Sequence, residues 1–555
     1  MKFRAGMNKD IEPDEIFLDS SNLSSFNTHQ FEGWIEKPLP KKVIVFAFVF
    51  FLLVVSVFVL KIWSLQVKHG ESFAIRSESN SLKKIAYLPE RGVIYDRNDN
   101  LLAWNEKDGR RYTDKSVHVA LGYLGYPSKE DIEKLDISID SKEMAGKEGA
   151  EKIFNEYLRG IEGVEVVEVN ARGEIQSENI FDPGVKGGDV KLSLDVDISN
   201  KFSEYISSLA KEKGFQGGAG VMMDVNTGEI VAMASYPEYD SNALIQKDEE
   251  KVGEYLKDKR MPFMNRVVSG LYVPGSIMKP IFALAALNEG IIKPEKSIYS
   301  SGSISIPNPY SPDKPTVFKD WKAHGWVDMK KAIAFSSDVY FYAISGGYED
   351  QKGIGILNIE KYSKMFGFGT TTGFELQPEK SGNIPSPEWK ERIFDGEKWS
   401  LGNTYHSGIG QYGFQVTPIQ VVRAISAIAN GGKVLKPTII KQAPGAGVTI
   451  ESIVEVDSDK FDVIKEGMRD SVLEGTSKGI NFSQVEIAGK TGTAELGVSK
   501  KFVNSWNVGF FPYKDPKYAF TVVMEKGPVE NTMGGVYVMN QLFNWMFINK
   551  PEFFK

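Results

Sequence analysis

The stretch "LYVPGSIMKPIFALAALNEG", Leu271 to Gly290, sets a serine three residues before a lysine at the start of a long apolar run. Pro274-Gly275 breaks the chain, and from Ser276 the segment is apolar on nearly every side until Gly290 supplies a stop. A helix apolar all round is a buried helix. Pro280 fits its first turn, where an N–H has no intrahelical partner anyway. The spacing puts Ser276 and Lys279 on one face of that turn. Free N–H groups and the positive dipole end favour a developing negative charge there. Burial lowers a lysine pKa towards the neutral amine that can take a proton from serine. An N-cap serine beside a snorkelling lysine has the same pattern. Three more Ser-x-x-Lys matches suit that plainer reading. Ser81–Lys84 lies in a charged stretch, Ser208–Lys211 near a charged helix end and Ser311–Lys314 in a Pro-rich loop.

Two downstream motifs separate Ser276 from the other three. "AFSSDVYFY" offers Ser336-x-Asp338 inside an apolar segment, and "VEIAGKTGTAEL" offers Lys490-Thr491-Gly492 on a strand-like run. Alternation on a strand puts Lys490 and Gly492 on one face, where the lysine can hold a carboxylate and the glycine admits a substrate backbone. Lys380-Ser381-Gly382 also matches the third motif, but "PEKSGNIPSPEW" is a proline-bounded loop. In the order Ser-x-x-Lys, Ser-x-Asp, Lys-Thr-Gly, the three form the serine acyltransferase set of class A β-lactamases and penicillin-binding proteins.

Around these motifs the chain reads as a mixed domain. "GAGVMMDVNTGEIVAMASYP" is a predicted β-hairpin with its turn at Asn226-Thr227-Gly228, and "SWNVGFFPYKDPKYAFTVVMEKG" repeats the grammar with Asp515-Pro516 in the turn. Apolar helical segments lie between, so the expected fold is α+β, with an antiparallel sheet closed by its first and last strands and flanked by helices. Residues 70–190 show β-rich runs ("VHVALGYLGY", "GVEVVEVNARGEI") among charged helical stretches such as "SKEMAGKEGAEKIFNEYLRG".

Val43 to Leu60 is an 18-residue run whose only polar member is Ser56. Such a helix is roughly 27 Å long, near the hydrocarbon thickness of a bilayer. The 42 residues before it and the lack of a small-x-small site after it favour a signal anchor over a cleaved signal peptide. Lys37, Lys41 and Lys42 precede the run; Lys61 and Lys68 follow and partly offset that bias. The balance puts the N-terminus inside and everything after about Gln66 outside. The polar tail carries Phe17, Phe26, Phe31 and Trp34, and its composition is that of a disordered segment. The expected organisation is a cytoplasmic tail (1–42), a transmembrane anchor (43–65), a β-rich pedestal (66–190) and a catalytic domain (191–555). A chain of 555 residues at net charge −7 has no basic footprint for nucleic acid, and without cysteine it has neither disulfides nor thiolate chemistry. No metal or cofactor motif is present.

From the anchor onward the chain resembles a class B penicillin-binding protein, a monofunctional peptidoglycan D,D-transpeptidase. "PERGVIYDRNDNLLAWN", Pro89 to Asn105, is similar to the family's "RGxIyDRnGxxLA" pedestal signature, with Asp99 in place of the usual glycine. "GEIVAMASYPEYDSN", "GIGQYGFQVTPIQ" and "NSWNVGFFP" also look like family segments. Within the family it is most similar to the elongation type, penicillin-binding protein 2, through "FKDWKAHGWVDM" (Phe318 to Met329), the aspartate at the third position of the second motif and the "DVYFY" that begins there. A division-type transpeptidase and a non-catalytic scaffold or β-lactam sensor are the alternatives. A β-lactamase would share the motifs but needs neither anchor nor pedestal.

The resemblance implies attack by Ser276 on the penultimate D-Ala carbonyl of a stem peptide. Lys279 would be the base and Ser336 a proton relay. Asp338 would hydrogen-bond Lys279 and the substrate amide, and Lys490 and Thr491 would bind the terminal carboxylate. Gly492 follows in the same motif, and the Ser276 and Thr493 N–H groups would form an oxyanion hole. It further implies acylation by β-lactams, an extracytoplasmic catalytic domain and work beside a polytopic SEDS-type glycan polymerase. One tension is visible already: a carboxylate near Lys279 opposes its role as base, whereas Lys490 favours it.

Overall fold

The run Gly217–Asp224 has no polar face, and in the structure both its faces are buried. The computed structural model describes residues 40–107, 109–129, 131–132, 144–170, 175–308, 311, 313–443 and 445–555. The tail aromatics Phe17, Phe26, Phe31 and Trp34 and the Ser81 side chain lie outside the described part. Strand β1 (Gly217–Asp224) forms the predicted hairpin with β2 (Ile230–Tyr236), and β4 (Phe502–Phe511) forms the second with β5 (Tyr518–Pro528). With β3 (Ala488–Leu496) they make one five-stranded sheet in the order β2-β1-β5-β4-β3. All its pairings are antiparallel, and the β1–β5 ladder joins the first hairpin to the last. Lys490 and Thr491 therefore stand on an edge strand, with Lys490 opposite Val508 and Gly492 opposite Trp506.

The helices that frame the sheet are, in chain order, α1 (Val196–Lys213), α2 (Lys279–Asn288), α3 (Met329–Phe335), α4 (Asp338–Gly346), α5 (Pro418–Ala429), α6 (Ser458–Leu473) and α7 (Gly535–Asn549). Alternation along β1 sorts the core. Ala219, Val221 and Met223 join the cluster that contains α2 and α5. Met222 points the other way, to Ile198, Phe202 and Ile206 of α1 and Val538, Leu542 and Phe543 of α7. Each such side chain contributes about 1.5–3 kcal/mol by leaving water. Lys279 to Leu287 are all buried, as an all-apolar helix requires.

Two compact units divide the chain: residues 1–85 with 165–179, and residues 86–164 with 180–555. The first contains the apolar helix Lys41–Trp63, which continues through a π-turn to Lys68 and buries none of its side chains. It is long and apolar enough to cross a membrane.

In the second unit the pedestal signature is tied down by its charged residues. Asp96, fully buried, accepts hydrogen bonds from the N–H groups of Asn98 and Asn100, at 2.7 and 2.9 Å, and from Val196 N–H at the start of α1. Asp99 sits at φ +65°, a left-handed position where glycine is the easy residue and aspartate is tolerated. Arg91 and Arg110 both bind the buried Glu151, at 2.9 and 2.8 Å, so its charge is compensated.

One expectation fails here. "VHVALGYLGY" reads as strand, but His118–Leu121 is a short, fully buried helix, and only Leu124–Gly125 is extended. Packing of all four side chains outweighs their β-propensity. "GVEVVEV" is the strand expected, Gly163–Val169, whereas residues 171–174 of "NARGEI" and 141–143 of "SKEMAGKEGAEKIFNEYLRG" lie outside the described residues.

Candidate active site

Ser276 stands on a single 3-10 turn, Gly275–Met278, that runs directly into α2 with Pro280 in the first α-turn. The turn is held from two sides. On one, Tyr272 and Val416 exchange backbone hydrogen bonds at 3.0 and 2.9 Å, and Gly275 N–H donates to the Gly410 carbonyl at 2.9 Å. On the other, Trp506 Nε1 donates to the Val273 carbonyl at 3.0 Å. Gly275 has φ +60°, and a Cβ there would lie 3.1 Å from the Thr493 carbonyl oxygen, so glycine is needed for conformation and for close approach. The edge strand thus runs beside the Ser276 turn, and Ser276 stays half-exposed.

Gly492 faces the same turn. A Cβ on it would come within 2.8 Å of both Ile277 Cγ2 and the Pro274 carbonyl. Its smallness serves the approach of strand to turn, where the sequence reading assigned it to a substrate backbone. Gly492→Ala is expected to lose about 1–3 kcal/mol in urea denaturation, the usual cost of overpacking.

Lys279 is fully buried, and its three ammonium donors are all engaged: Ser336 carbonyl at 2.8 Å, Ser336 Oγ at 3.2 Å and Asp338 Oδ1 at 2.6 Å. Lys490, also fully buried, donates to Ser336 Oγ at 2.8 Å and to the Thr491 carbonyl at 2.8 Å. The Ser336 hydroxyl accepts from both lysines, which occupies both lone pairs and leaves its own proton free to be donated elsewhere. Ser336 can do this because it breaks the chain between α3 and α4. It lies at φ +59°, and Ser337 behind it caps α4. Sequence periodicity shows "AFSSDVYFY" only as an apolar segment; the break is visible only in the fold.

Burial sets the electrostatics. It raises the Asp338 pKa, an effect opposed by the charge of Lys279 and reinforced by that of Asp320. It pushes the Lys490 pKa well below its ordinary value, helped by the charge of Lys279. Because folding lowers this pKa, the native state releases the Lys490 proton before the unfolded state does. That contribution to stability grows as pH rises towards the ordinary lysine value. Urea denaturation should therefore show wild type gaining on Lys490→Met between about pH 7 and about pH 10.

On β3, Lys490 and Gly492 are buried while Thr491 is half-exposed and Thr493 exposed, so the threonines occupy the open face. Thr491 Oγ1 donates to Thr476 Oγ1 at 2.6 Å, and Thr476 N–H donates to the Ala334 carbonyl at 3.1 Å in the last turn of α3. Thr476, Gly410, Trp506 and Asp320 shape the site without belonging to any motif; only "GIGQYGFQVTPIQ", "NSWNVGFFP" and "FKDWKAHGWVDM" hinted at the last three.

Two of the rejected matches stay apart from this cluster: Ser208 and Lys211 are exposed on α1, and Lys314, also exposed, donates its N–H to the Ser311 carbonyl at 2.9 Å. Among the described residues no group of three or more His, Asp or Glu side chains is placed to hold a metal ion.

Residues 218–546, more than half the chain, match the family model described as the penicillin binding protein transpeptidase domain, and residues 104–192 match the penicillin-binding protein dimerisation domain. The chain is a class B penicillin-binding protein. This penicillin-binding protein is 28% identical to the peptidoglycan D,D-transpeptidase MrdA of Haemophilus influenzae, over 90% of this chain and 91% of the relative. It is 32% identical to the Acinetobacter baumannii protein of the same name, over 75% and 62%. Its fold matches penicillin-binding protein 2 of Helicobacter pylori, solved in complex with MreC, at TM-score 0.71 and 26% identity, covering 85% of this chain and all of that one. Pseudomonas aeruginosa penicillin-binding protein 2, solved with WCK 5153, matches at TM-score 0.67 and 28% identity, covering 83% and 97%. A chain of a peptidoglycan synthase complex that coordinates polymerization and crosslinking matches at TM-score 0.71 and 26% identity, covering 91% and 97%.

Proposed function

We propose that this penicillin-binding protein is an elongation-type peptidoglycan D,D-transpeptidase that works through an acyl-enzyme on Ser276. The observation that carries the reading is the meeting of Lys279 and Lys490 on one hydroxyl, Ser336 Oγ, from motifs far apart in the chain.

Ser276 Oγ attacks the carbonyl carbon of the penultimate D-Ala and loses its proton to the neutral amine of Lys279. The C–N bond then breaks. Ser336 gives its free proton to the departing D-Ala amine and is reprotonated from Lys279, so no net charge accumulates. An amine of a second stem peptide next attacks the ester carbonyl, its proton passes to the lysine, and Ser276 leaves with a proton regained. The Ser276 and Thr493 N–H groups receive the oxyanion, a contribution of about 2.7–4 kcal/mol per donor in acyl transfer. Thr491 and Thr493 meet the substrate's terminal carboxylate on the open face, with the charge of Lys490 behind Ser336. Asp338 holds Lys279 and the substrate amide.

The amine form of Lys279 requires that one of its three donated protons leave. Asp338, whose burial already favours the protonated carboxyl, is the nearest acceptor at 2.6 Å. A proton shared across that pair resolves the opposition between carboxylate and base.

The domain reading follows: tail 1–42, anchor 43–65, pedestal 66–190 and transpeptidase 191–555. The anchor is single-pass with the N-terminus inside and the catalytic domain outside the cytoplasm. β-Lactams and D-Ala-D-Ala stem peptides are its ligands. The complexes of similar proteins, one with MreC and one a peptidoglycan synthase, support a SEDS-type glycan polymerase as partner.

Incubation with a labelled penicillin followed by mass spectrometry tests the reading. A long-lived adduct on the Ser276 peptide is expected; rapid release as penicilloate would make the protein a β-lactamase instead.

A further inference from the structure

Beneath the Ser336–Asp338 turn lies a second carboxylate that the mechanism above does not use. Asp320, with its side chain wholly inaccessible, accepts four hydrogen bonds and faces one histidine. Oδ2 takes hydrogen bonds from Ser337 Oγ at 2.9 Å, Val339 N–H at 3.0 Å and Ser300 Oγ at 3.2 Å. Oδ1 takes one from its neighbour Trp321 N–H at 2.8 Å and faces His324 Nε2 at 3.4 Å. Two of the donors, Ser337 Oγ and Val339 N–H, flank Asp338 in the chain and open α4.

We propose that Asp320 is a positioning residue for acyl transfer: its buried carboxylate clamps the start of α4 and so fixes Ser336 between the two lysines and Asp338 against Lys279. It touches neither substrate nor the reacting atoms. The inference rests on the proposed acylation of Ser276.

A left-handed serine costs about 1–2 kcal/mol, so Ser336 at φ +59° needs a neighbour that holds it. The hydroxyl and the amide that Asp320 binds belong to Ser337 and Val339, one and three residues after Ser336. The clamp also carries charge. The titratable and charged groups around it are His324, Lys322, Lys279, Asp338 and Tyr342, with Lys490 beyond Ser336. Burial lowers the His324 pKa, so a neutral imidazole leaves the charge of Asp320 in place. That charge raises the proton affinity of Asp338, the group that shares a proton with the base.

Two variants separate clamp from charge. Asp320→Asn keeps the shape but removes the charge and one acceptor; Ser337→Ala keeps the charge and removes a donor. Labelling of Ser276 by a penicillin is followed as a function of pH in the full chain. Asp320→Asn is expected to slow acylation by about 10-fold or more, the scale of a lost hydrogen bond to a charged group. Its acid limb should move to lower pH, because losing a buried negative charge makes every proton in the coupled network easier to release. Ser337→Ala should slow acylation with the limb unmoved. A wild-type rate for Asp320→Asn, or a slower rate with no movement of the limb, would overturn the inference. Should Asp320→Asn not fold, Ser337→Ala decides alone, a wild-type rate overturning it. Absence of any Ser276 adduct on the wild-type protein would instead overturn the functional reading, and this inference with it.

Discussion

Ser276→Ala protein is expected to fold normally and to carry no penicillin adduct, with turnover of stem peptides reduced by about 10⁶-fold, the scale of removing the nucleophile from a unit that acts together. The argument joins two links. The hydroxyl stands half-exposed on a turn whose geometry is set by Gly275, Trp506 and the Tyr272–Val416 pairing. Losing one oxygen there leaves that framework intact, so stability should stay within about 0.5 kcal/mol in a denaturant titration. The chemistry has no substitute. Ser208 and Ser311 lie outside the cluster, and Ser336, the serine of the second motif, is 7% exposed with both lone pairs taken by two lysines. Intact-protein mass spectrometry reads the first expectation, and complementation of a strain depleted of the wild-type protein reads the second. Growth supported by Ser276→Ala would make the protein a scaffold or sensor and sink the transpeptidase.

Lys279→Met should slow acylation of Ser276 by about 10²–10⁴-fold, the range for a positioned general base. It also has a stability signature that a merely catalytic group would lack. Lys279 is fully buried and donates to Asp338 at 2.6 Å; methionine fills similar space without any donor. Asp338 then keeps a carboxylate only 18% exposed without its closest counter-charge, at a cost approaching the ~3–5 kcal/mol of a broken buried pair. The pH dependence has a definite sign. The folded-state pKa of Asp338 is raised already by burial, and losing Lys279 removes the largest influence that lowers it. The native variant therefore binds the Asp338 proton more tightly than the unfolded chain does, and its stability falls as pH rises between the two pKa values. Denaturant unfolding of Lys279→Met should show most of the lost stability recovered on acidification. Equal deficits at acid and neutral pH would mean that Asp338 does not depend on this lysine.

The two hairpins, the buried helix behind Ser276 and the apolar span at Lys41–Trp63 were legible because each is a local pattern: alternation, an all-apolar helical run, a Pro-Gly break. The preference for Ser276 among four matches drew on local context, the Pro-Gly break and the apolar run, and also on two motifs far downstream, at Ser336 and Lys490. His118–Leu121 was misread for the complementary reason. Four residues carry too little periodicity to distinguish a strand from a helical turn, and burial on all sides decided in favour of the turn.

Sequence alone thus determined the three motifs and the buried helix and strand on which Ser276-x-x-Lys279 and Lys490-Thr491-Gly492 stand, because each is written in a local pattern. Their mutual arrangement belongs to the tertiary structure. That Ser336 sits left-handed between two helices, that Lys490 lies beneath the open face while Thr491 and Thr493 stand on it, and that Gly492 makes room for Pro274 and Ile277 all depend on contacts between segments distant in sequence. The protonation pattern does too. Desolvation and neighbouring charge depend on distance in space, and the buried side chains of Lys279, Lys490 and Asp320 and the half-buried Asp338 converge only once the edge strand, α2 and the α3–α4 junction pack around one hydroxyl.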